Sequence, residues 1–256
     1  MCRKKRSNSM RNIWTIAKRE YTHYFISPIA YVVALLFLGT IGLIFMLNIL
    51  ALASTPFGTP DAPDARIVTG PMGFLLLLAA PALTMRLVAD EVRMGTMELL
   101  LTAPLRDYEL IVGKWLGAFL FILSLIAVTL VFPIMLNRMV TPGIDQMQMI
   151  ACYLGVILIA AAFLALGVGI SAIFSNQIAA FFTTLVLFVV IWWLIGAPAS
   201  ILPSGGEVFR YLDMSDYFYN NFNEGIVPLS GIVYYLSLTA LGLFIGSSAV
   251  EMRRWR

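Results

Sequence analysis

Apolar residues fill most of the chain in runs of about 20 or more, and polar or charged segments separate these runs. A helix of about 20 apolar residues is long enough to cross the hydrocarbon core of a membrane. Backbone polar groups inside lipid must be paired within the segment, so the runs predict helices; barrel strands would be shorter and would alternate. We therefore predict an all-α integral membrane protein, a single domain over residues 1–256, with six transmembrane helices at 29–53, 72–89, 110–136, 149–174, 178–202 and 232–250.

Residues 12–27, before the first run, have a different pattern. Apolar and aromatic residues recur there at three- and four-residue spacing, whereas Lys18, Arg19 and Thr22 fall on the other side. This pattern predicts an amphipathic elbow helix in the membrane interface, with aromatic rings at headgroup depth. The alternative is a first membrane helix that simply starts early. The apolar positions are Ile13, Trp14, Ala17, Tyr21, Tyr24 and Phe25.

The segment 203–230, before the last run, is rich in aromatic residues. A plain solvated loop rarely has such a composition, so we predict one or two short external re-entrant helices that dip into the outer interface. The alternative is a loop packed over the top of the helix bundle. The aromatic residues are Phe209, Tyr211, Tyr217, Phe218, Tyr219 and Phe222.

Composition agrees with a lipid environment, and charge predicts the orientation. The chain is 60% hydrophobic and 12% charged, with a mean hydropathy of +0.88. If the N-terminus is cytoplasmic, 14 of the 17 Lys and Arg residues lie on that side, and only Arg66, Arg138 and Arg210 lie outside. The positive-inside rule then places both termini in the cytoplasm.

The first run is too long for a signal peptide, so we expect it to be retained, and Met10 is an alternative start to Met1.

Several classes of function lack their characteristic residues. No ionisable residue lies in the middle of a run, which disfavours ion-coupled carriers, and neither a charge ring nor a backbone filter suggests a channel. Ser171 has no base for nucleophilic catalysis, because His23, the single histidine, lies outside the runs. Cys2 and Cys152 form no metal-ligand or disulfide pattern, and no phosphate-binding loop occurs. We expect no catalytic residue, cofactor or metal in this chain and no binding to nucleic acid.

Small residues predict where helices approach closely. Ala161, Ala165 and Gly169 recur at four-residue spacing in the fourth run, and Gly242 and Gly246 form a GxxxG pair in the sixth. Such positions let helix backbones come together. We expect packing within the chain rather than dimerisation at these two faces. Pro81, Pro133 and Pro198 are expected to kink their helices.

The segment 90–109 is the most charged part of the chain between two apolar runs, with the sequence DEVRMGTMELLLTAPLRDYE. Val92, Met97, Leu100 and Leu101 can form one apolar stripe, and Pro104 would end that helix. Asp107 is then expected to be the N-cap of the third span. The segment therefore predicts a short amphipathic helix at the cytoplasmic surface.

These residues resemble the cytoplasmic loop of ABC-2 type transporter permeases. The resemblance rests on residues 91–105 followed by Gly113 and Lys114, and on 216–218 and 225–227 near the end of the external segment. It extends over nearly the whole chain and is closest to the subgroup of gliding-motility-associated and nitrous-oxide-reductase-maturation permeases.

The resemblance implies a transporter, most simply an exporter, in the bacterial cytoplasmic (inner) membrane. The 90–109 segment would be a coupling helix docked on a separate ABC ATPase subunit, present in two copies, which would hold the ATP and Mg²⁺. A second permease chain, identical or paralogous, would pack against the first and fifth spans. The expected contacts with the ATPase are Glu91, Arg93, Met97, Glu98, Leu100, Leu101 and Arg106.

An alternative function is mechanotransmission. In that case the ATPase would move the permease to do work on an extracytoplasmic partner, and no substrate would cross. An exposed aromatic patch on the 203–230 segment would favour this alternative.

Overall fold

The computed structural model describes residues 9–54, 64–95, 106–140, 143–200 and 206–254. Within these ranges the regular structure is helical throughout. The α-helices are α1 (Ser9–Tyr24), α2 (Pro28–Ser54), α3 (Arg66–Thr84), α4 (Ala89–Arg93), α5 (Asp107–Thr129), α6 (Val131–Met139), α7 (Gln146–Ile173), α8 (Gln177–Val189), α9 (Gly206–Leu212), α10 (Met214–Tyr219) and α11 (Leu229–Arg254).

Six of the helical segments in the described residues are long and apolar enough to cross a membrane. They are α2, α3 continued by α4, α5 continued by α6, α7, α8 with the π-turn that follows it, and α11. For the described residues, the predictions of an all-helical fold and of six helices able to cross a membrane are therefore confirmed.

Two of these helices depart from a regular α-helix, one of them at the kink that Pro133 was expected to cause. The third breaks at Leu130, because the ring of Pro133 cannot donate to the carbonyl of Thr129 four residues earlier and clashes with it. The fifth ends with a π-turn, Val190–Leu194. Pro198 lies beyond this helix in the 3₁₀ turn Ala197–Ser200, so the expectation that it kinks a membrane helix is wrong.

Helix α7 occupies the centre of the bundle. In its most apolar 18-residue window 89% of the residues are buried, and it packs against α3, α5, α8 and α11. The residues singled out for close packing meet at its crossing with α11. A Cβ added to Gly169 would lie 2.6 Å from the Gly242 carbonyl oxygen, and one added to Gly242 would overlap the backbone of Ala165.

The segment before α11 packs into one end of the bundle. Phe218 and Phe222 are fully buried, and a Cβ on Gly155 of α7 would lie 2.6 Å from Phe222 Cβ. The Tyr235 hydroxyl of α11 donates to the Met214 carbonyl (2.9 Å), and Thr69 of α3 donates to Asn223 (2.8 Å). Helix α10 and the 3₁₀ turn Phe222–Glu224 thus cover this end of the bundle, and Phe218 and Phe222 face the core.

Candidate functional site: the ion cluster around Lys114

At the other end of the bundle, which we call the Lys114 end, α1 lies directly against α5. A Cβ on Gly113 would lie 2.7 Å from Ile16 Cβ, and one on Gly117 would lie 2.6 Å from Glu20 Cβ and 3.0 Å from the Ala17 carbonyl oxygen. The spacing of the two glycines gives α5 a flat strip that admits the α1 backbone. This crossing brings Glu20 next to the residue that follows Gly113, which is Lys114.

Lys114 is held between two carboxylates from different helices. Its Nζ donates to Glu20 Oε1 of α1 (3.1 Å) and to Glu91 Oε1 of α4 (2.8 Å), and its side chain is 1% exposed. Arg19 contacts the same two carboxylates, at 2.9 Å from Glu20 and 3.6 Å from Glu91. Because the Arg19 side chain is 58% exposed, its share of the electrostatic stabilisation is small compared with that of Lys114. We call these four residues the Lys114 cluster.

The cluster changes the acidity of Glu20. Burial by itself would raise the pKa of this carboxyl, but the nearby charges of Lys114 and Arg19 outweigh burial and hold the pKa below its usual value. Glu20 is therefore ionised at neutral pH, and the cluster contains two carboxylates against an ammonium and a guanidinium.

A hydrogen-bonded anchor holds α4 to the central helix. The Ser171 Oγ of α7 accepts hydrogen bonds from the backbone N–H groups of Val88 (3.2 Å) and Ala89 (3.1 Å) and donates to the Met85 carbonyl (3.3 Å). The start of α4 would otherwise leave these donors unpaired in a buried place. Ser171 thus makes hydrogen bonds between the central helix and the α3–α4 connection.

The far end of the 90–109 segment also contacts α1. Asn12 donates to Glu109 Oε2 (3.0 Å), and the hydroxyl groups of Ser9 and Tyr108 lie 3.1 Å apart. Glu91 at the near end is joined to the other half of α1 through the Lys114 cluster. Both stems of the segment are therefore attached to the same helix.

The structure separates the predicted ATPase contacts into three groups. Glu91 points into the chain and pairs with Lys114, whereas Arg93 and Arg106 are exposed. The remaining predicted contacts, Met97, Glu98, Leu100 and Leu101, lie outside the described residues.

Two local predictions about the segment are wrong. Helix α4 ends at Arg93 and Gly95 has a left-handed φ of +70°, so Val92 does not continue in one helix with the residues beyond Gly95. The N-cap of α5 is Arg106 rather than Asp107; Asp107 lies in the first helical turn, where a carboxylate complements the helix dipole.

Sequence reasoning missed Glu20, and it used Lys114 only as a cytoplasmic charge and as part of the family resemblance. A signal was available for both. Glu20 falls in the same helical stripe as Ile16 and Tyr24, where a carboxylate is out of place without a partner. Lys114 lies between Gly113 and Gly117, a GxxxG pair that predicts a close neighbour. What the sequence could not supply is that these two faces meet.

A cavity of about 300 Å³ adjoins the cluster, between α1, the α3–α4 connection and α5. Tyr24, Leu83 and Leu87 form its apolar walls, and Arg86 and Asp90 add charges to those of the cluster. Among the described residues no group of three or more His, Cys, Asp or Glu side chains could hold a metal ion.

The fold and the site define a multi-pass membrane protein with six candidate spans. At one end of the bundle it has a charged segment, 90–109, whose two stems are attached to α1. Residues 6–245 match the family described as ABC-2 family transporter protein. The chain belongs to this family, and it is a membrane component of an ABC transporter. A search of curated proteins found no match.

Proposed function

We propose that this chain is the permease subunit of an ABC-2 exporter, and that a separate ATPase drives it through the 90–109 segment. The observation that carries the proposal is the attachment of both stems of this segment to α1. A push on the segment reaches α1 through Glu91 and Lys114 at one stem and through Glu109 and Asn12 at the other. It reaches α5 through Lys114 itself.

The exposed residues at the two stems supply the contact surface for the ATPase. Arg93 and Met94 end the near stem and Arg106 begins the far stem, and all three are exposed. The residues between them, including Glu98, complete the surface in this proposal. Glu91 then acts inside the permease, where it passes the displacement on to Lys114.

The energy source lies on the partner. The sequence has no phosphate-binding loop, so ATP and Mg²⁺ bind the ATPase, two copies of which serve two permease chains. The positive-inside distribution of Lys and Arg supports a cytoplasmic position for the Lys114 end, on the side where ATP is available. Outward transport through a bacterial inner membrane is the direction that the family resemblance supports.

The mechanotransmission alternative receives less support. It called for an exposed aromatic patch on the external segment, but Tyr217, Phe218 and Phe222 are buried against the bundle. Tyr211, at 51% exposure, is the aromatic residue of this segment that is clearly exposed among those described.

The test is co-purification of the chain in mild detergent with its ATPase, followed by measurement of ATP hydrolysis and transport with Glu98→Lys. We expect the reversed charge to lower permease-stimulated hydrolysis while the thermal stability of the permease stays the same. Glu251→Lys, which reverses an exposed carboxylate at the same end of the bundle, is the matched control. Full stimulation and transport with Glu98→Lys would remove Glu98 from the coupling surface, and the absence of any bound ATPase would contradict the proposal as a whole.

A further inference from the structure

The cavity beside the Lys114 cluster opens to the surface between α1 and α4. His23 and Met94 lie at its rim and are exposed, whereas Leu83, Leu87 and Tyr24 inside it are buried. A volume of about 300 Å³ is at the lower end of the range for small-molecule sites. The cavity therefore has space for a small polar group that enters from the surface.

The charges that line the cavity balance. Arg19, Arg86 and Lys114 face Glu20, Asp90 and Glu91. The Lys114 cluster accounts for four of the six, which leaves Arg86 and Asp90 with no ion-pair partner among the described residues. An uncharged or zwitterionic ligand fits such a lining better than a simple anion.

Arg86 has donor capacity beyond its one contact within the chain. Its Nη1 donates to Ser27 Oγ (3.1 Å), and its buried Nε has no acceptor in the described residues. A buried polar group without a partner is costly, and a guanidinium can bind a phosphate through two parallel hydrogen bonds. A phosphate group beside Arg86 would supply acceptors where the chain supplies few.

Asp90 lies close to Arg86 in the cavity lining, since its backbone N–H is paired with the Arg86 carbonyl (3.4 Å) across the turn between α3 and α4. A turn closed by such a hydrogen bond brings two residues about as close as neighbours four apart on a helix, which is about 5–6 Å at Cβ. A ligand whose ammonium is separated from its phosphate by two carbons can reach both residues. Ethanolamine phosphate has this structure, and its ammonium can donate hydrogen bonds to a carboxylate, which a trimethylated ammonium cannot.

The mouth of the cavity adjoins a surface suited to lipid. Ile26 and Tyr31, on either side of the cavity-lining Ser27, are 73% and 59% exposed, and Phe25 is 44% exposed. Aromatic and aliphatic side chains next to arginine are typical of the headgroup level of a membrane. Acyl chains attached to a headgroup in the cavity would lie along these residues.

We propose that this cavity binds the phosphoethanolamine headgroup of a phospholipid, with the phosphate on Arg86 and the ammonium on Asp90. The lipid comes from the membrane leaflet at the Lys114 end. It fills the space between α1 and α4, and its binding requires neither the ATPase nor transport, so the proposal is independent of the proposed function.

Native mass spectrometry of the purified permease in a phosphate-free maltoside detergent tests the proposal. Short-chain phosphatidylethanolamine, phosphatidylcholine, phosphatidylglycerol, free ethanolamine phosphate and inorganic phosphate are titrated separately. We expect phosphatidylethanolamine to bind about tenfold more tightly than the other two lipids, the factor that one charge-assisted hydrogen bond supplies. Free ethanolamine phosphate is expected to bind more weakly than the lipid, since it lacks acyl chains.

Two variants test the proposed roles of Arg86 and Asp90 in binding the phosphate and the ammonium. Arg86→Gln is expected to weaken phosphatidylethanolamine binding about tenfold, and Asp90→Asn to abolish the preference over phosphatidylcholine while leaving phosphatidylcholine binding unchanged. Arg138→Gln, at an exposed arginine of α6, is the matched control and should bind as the unaltered protein does.

Equal binding of the three lipids to the unaltered protein would overturn the assignment, and this comparison needs no variant to fold. Binding of inorganic phosphate as tight as that of the lipid would also overturn it. So would unchanged lipid affinity in a folded Arg86→Gln protein.

Discussion

Lys114 carries its charge into a place from which water is nearly excluded, and two carboxylates surround it. Moving such ions out of water costs several kcal/mol each, and their mutual attraction repays this cost only when the geometry is good. A buried cluster of this kind contributes little net stability relative to apolar residues. Its effect is to restrict the arrangement of α1, α4 and α5, because a shift of any of them leaves a charge unpaired.

Lys114→Met should therefore destabilise the folded protein strongly. The substitution leaves Glu20 and Glu91 buried without their ammonium partner, and loss of one member of a buried ion pair costs about 3–5 kcal/mol. Thermal unfolding in detergent, followed by circular dichroism, measures the effect. Lys18→Met, at an exposed lysine of α1, is the control and should change the stability by less than about 0.5 kcal/mol. Equal melting temperatures for the two variants would contradict the inferred role of Lys114.

Glu20 predicts how stability changes with pH. Its pKa in the folded protein lies below the reference value of 4.5, so its contribution is present above that value and is lost as the pH falls through the lower, folded pKa. We expect the melting temperature to fall in acid below about pH 4.5, and Glu20→Gln to remove part of this fall. Melting curves at a series of pH values from neutral to about 3 measure both. A steeper acid dependence in Glu20→Gln than in the unaltered protein would be the wrong sign.

At the scale of elements, two helix crossings rest on glycine. One is α7 on α11, where Gly169 meets Gly242, and the other is α1 on α5, at Gly113 and Gly117. Lipid offers no hydrophobic drive for helix association, so close backbone contact and buried hydrogen bonds must supply it. The second crossing has a further consequence, since it alone brings Glu20 within reach of Lys114.

Gly117→Ala should push α1 away from α5. The new methyl group would lie 2.6 Å from Glu20 Cβ and 3.0 Å from the Ala17 carbonyl oxygen, and overpacking of this kind typically costs about 1–3 kcal/mol. Gly39→Ala in α2 is the matched control, because its Cβ would meet nothing within 4 Å. Alanine also has the higher helix propensity, so the control should be neutral or slightly stabilising. Thermal unfolding measures the stability of both variants. A Gly117→Ala protein as stable as the Gly39→Ala protein would argue against the close crossing of α1 on α5.

At the scale of the whole molecule, burial is uneven around the bundle. The apolar window of α7 is 89% buried, whereas those of α2 and α8 are 28% and 22% buried. Both of these helices pack against α3. Their exposed faces contact either a second permease chain or lipid, and we predict the second permease chain.

Cysteine cross-linking separates the two cases. Leu43→Cys on α2 and Val186→Cys on α8, both at exposed positions, should give a cross-linked permease pair in native membranes. Phe244→Cys on α11, equally exposed, should not. Cys2 is replaced by serine in all three proteins, while Cys152 is buried and can stay. Mass spectrometry of the product identifies an identical or a paralogous partner. Cross-linking at Phe244 alone would move the interface to α11.

The hydrophobic pattern by itself determined that the described residues form an all-helical fold with six helices able to cross a membrane. Each helix pairs its own backbone groups, and a long apolar run is stable only in lipid, so both properties belong to one segment at a time. The break near Pro133 is local for the same reason, since the missing donor and the clash involve residues four apart. The small residues at 165, 169 and 242 could be recognised as packing positions, although their partners could not.

The tertiary structure decided everything that depends on which faces meet. Glu20 and Lys114 are far apart in the sequence, and only the crossing of α1 on α5 pairs them. The position of α4 on the bundle turns Glu91 toward Lys114, so a residue that the sequence assigned to a partner contact makes an ion pair within the chain. At the other end of the bundle, tertiary packing also decided that the aromatic rings at 217, 218 and 222 are core residues, because they lie against α7 and α11. Periodicity describes one helix surface at a time, whereas the burial of a charge or a ring depends on the complementary surface that covers it.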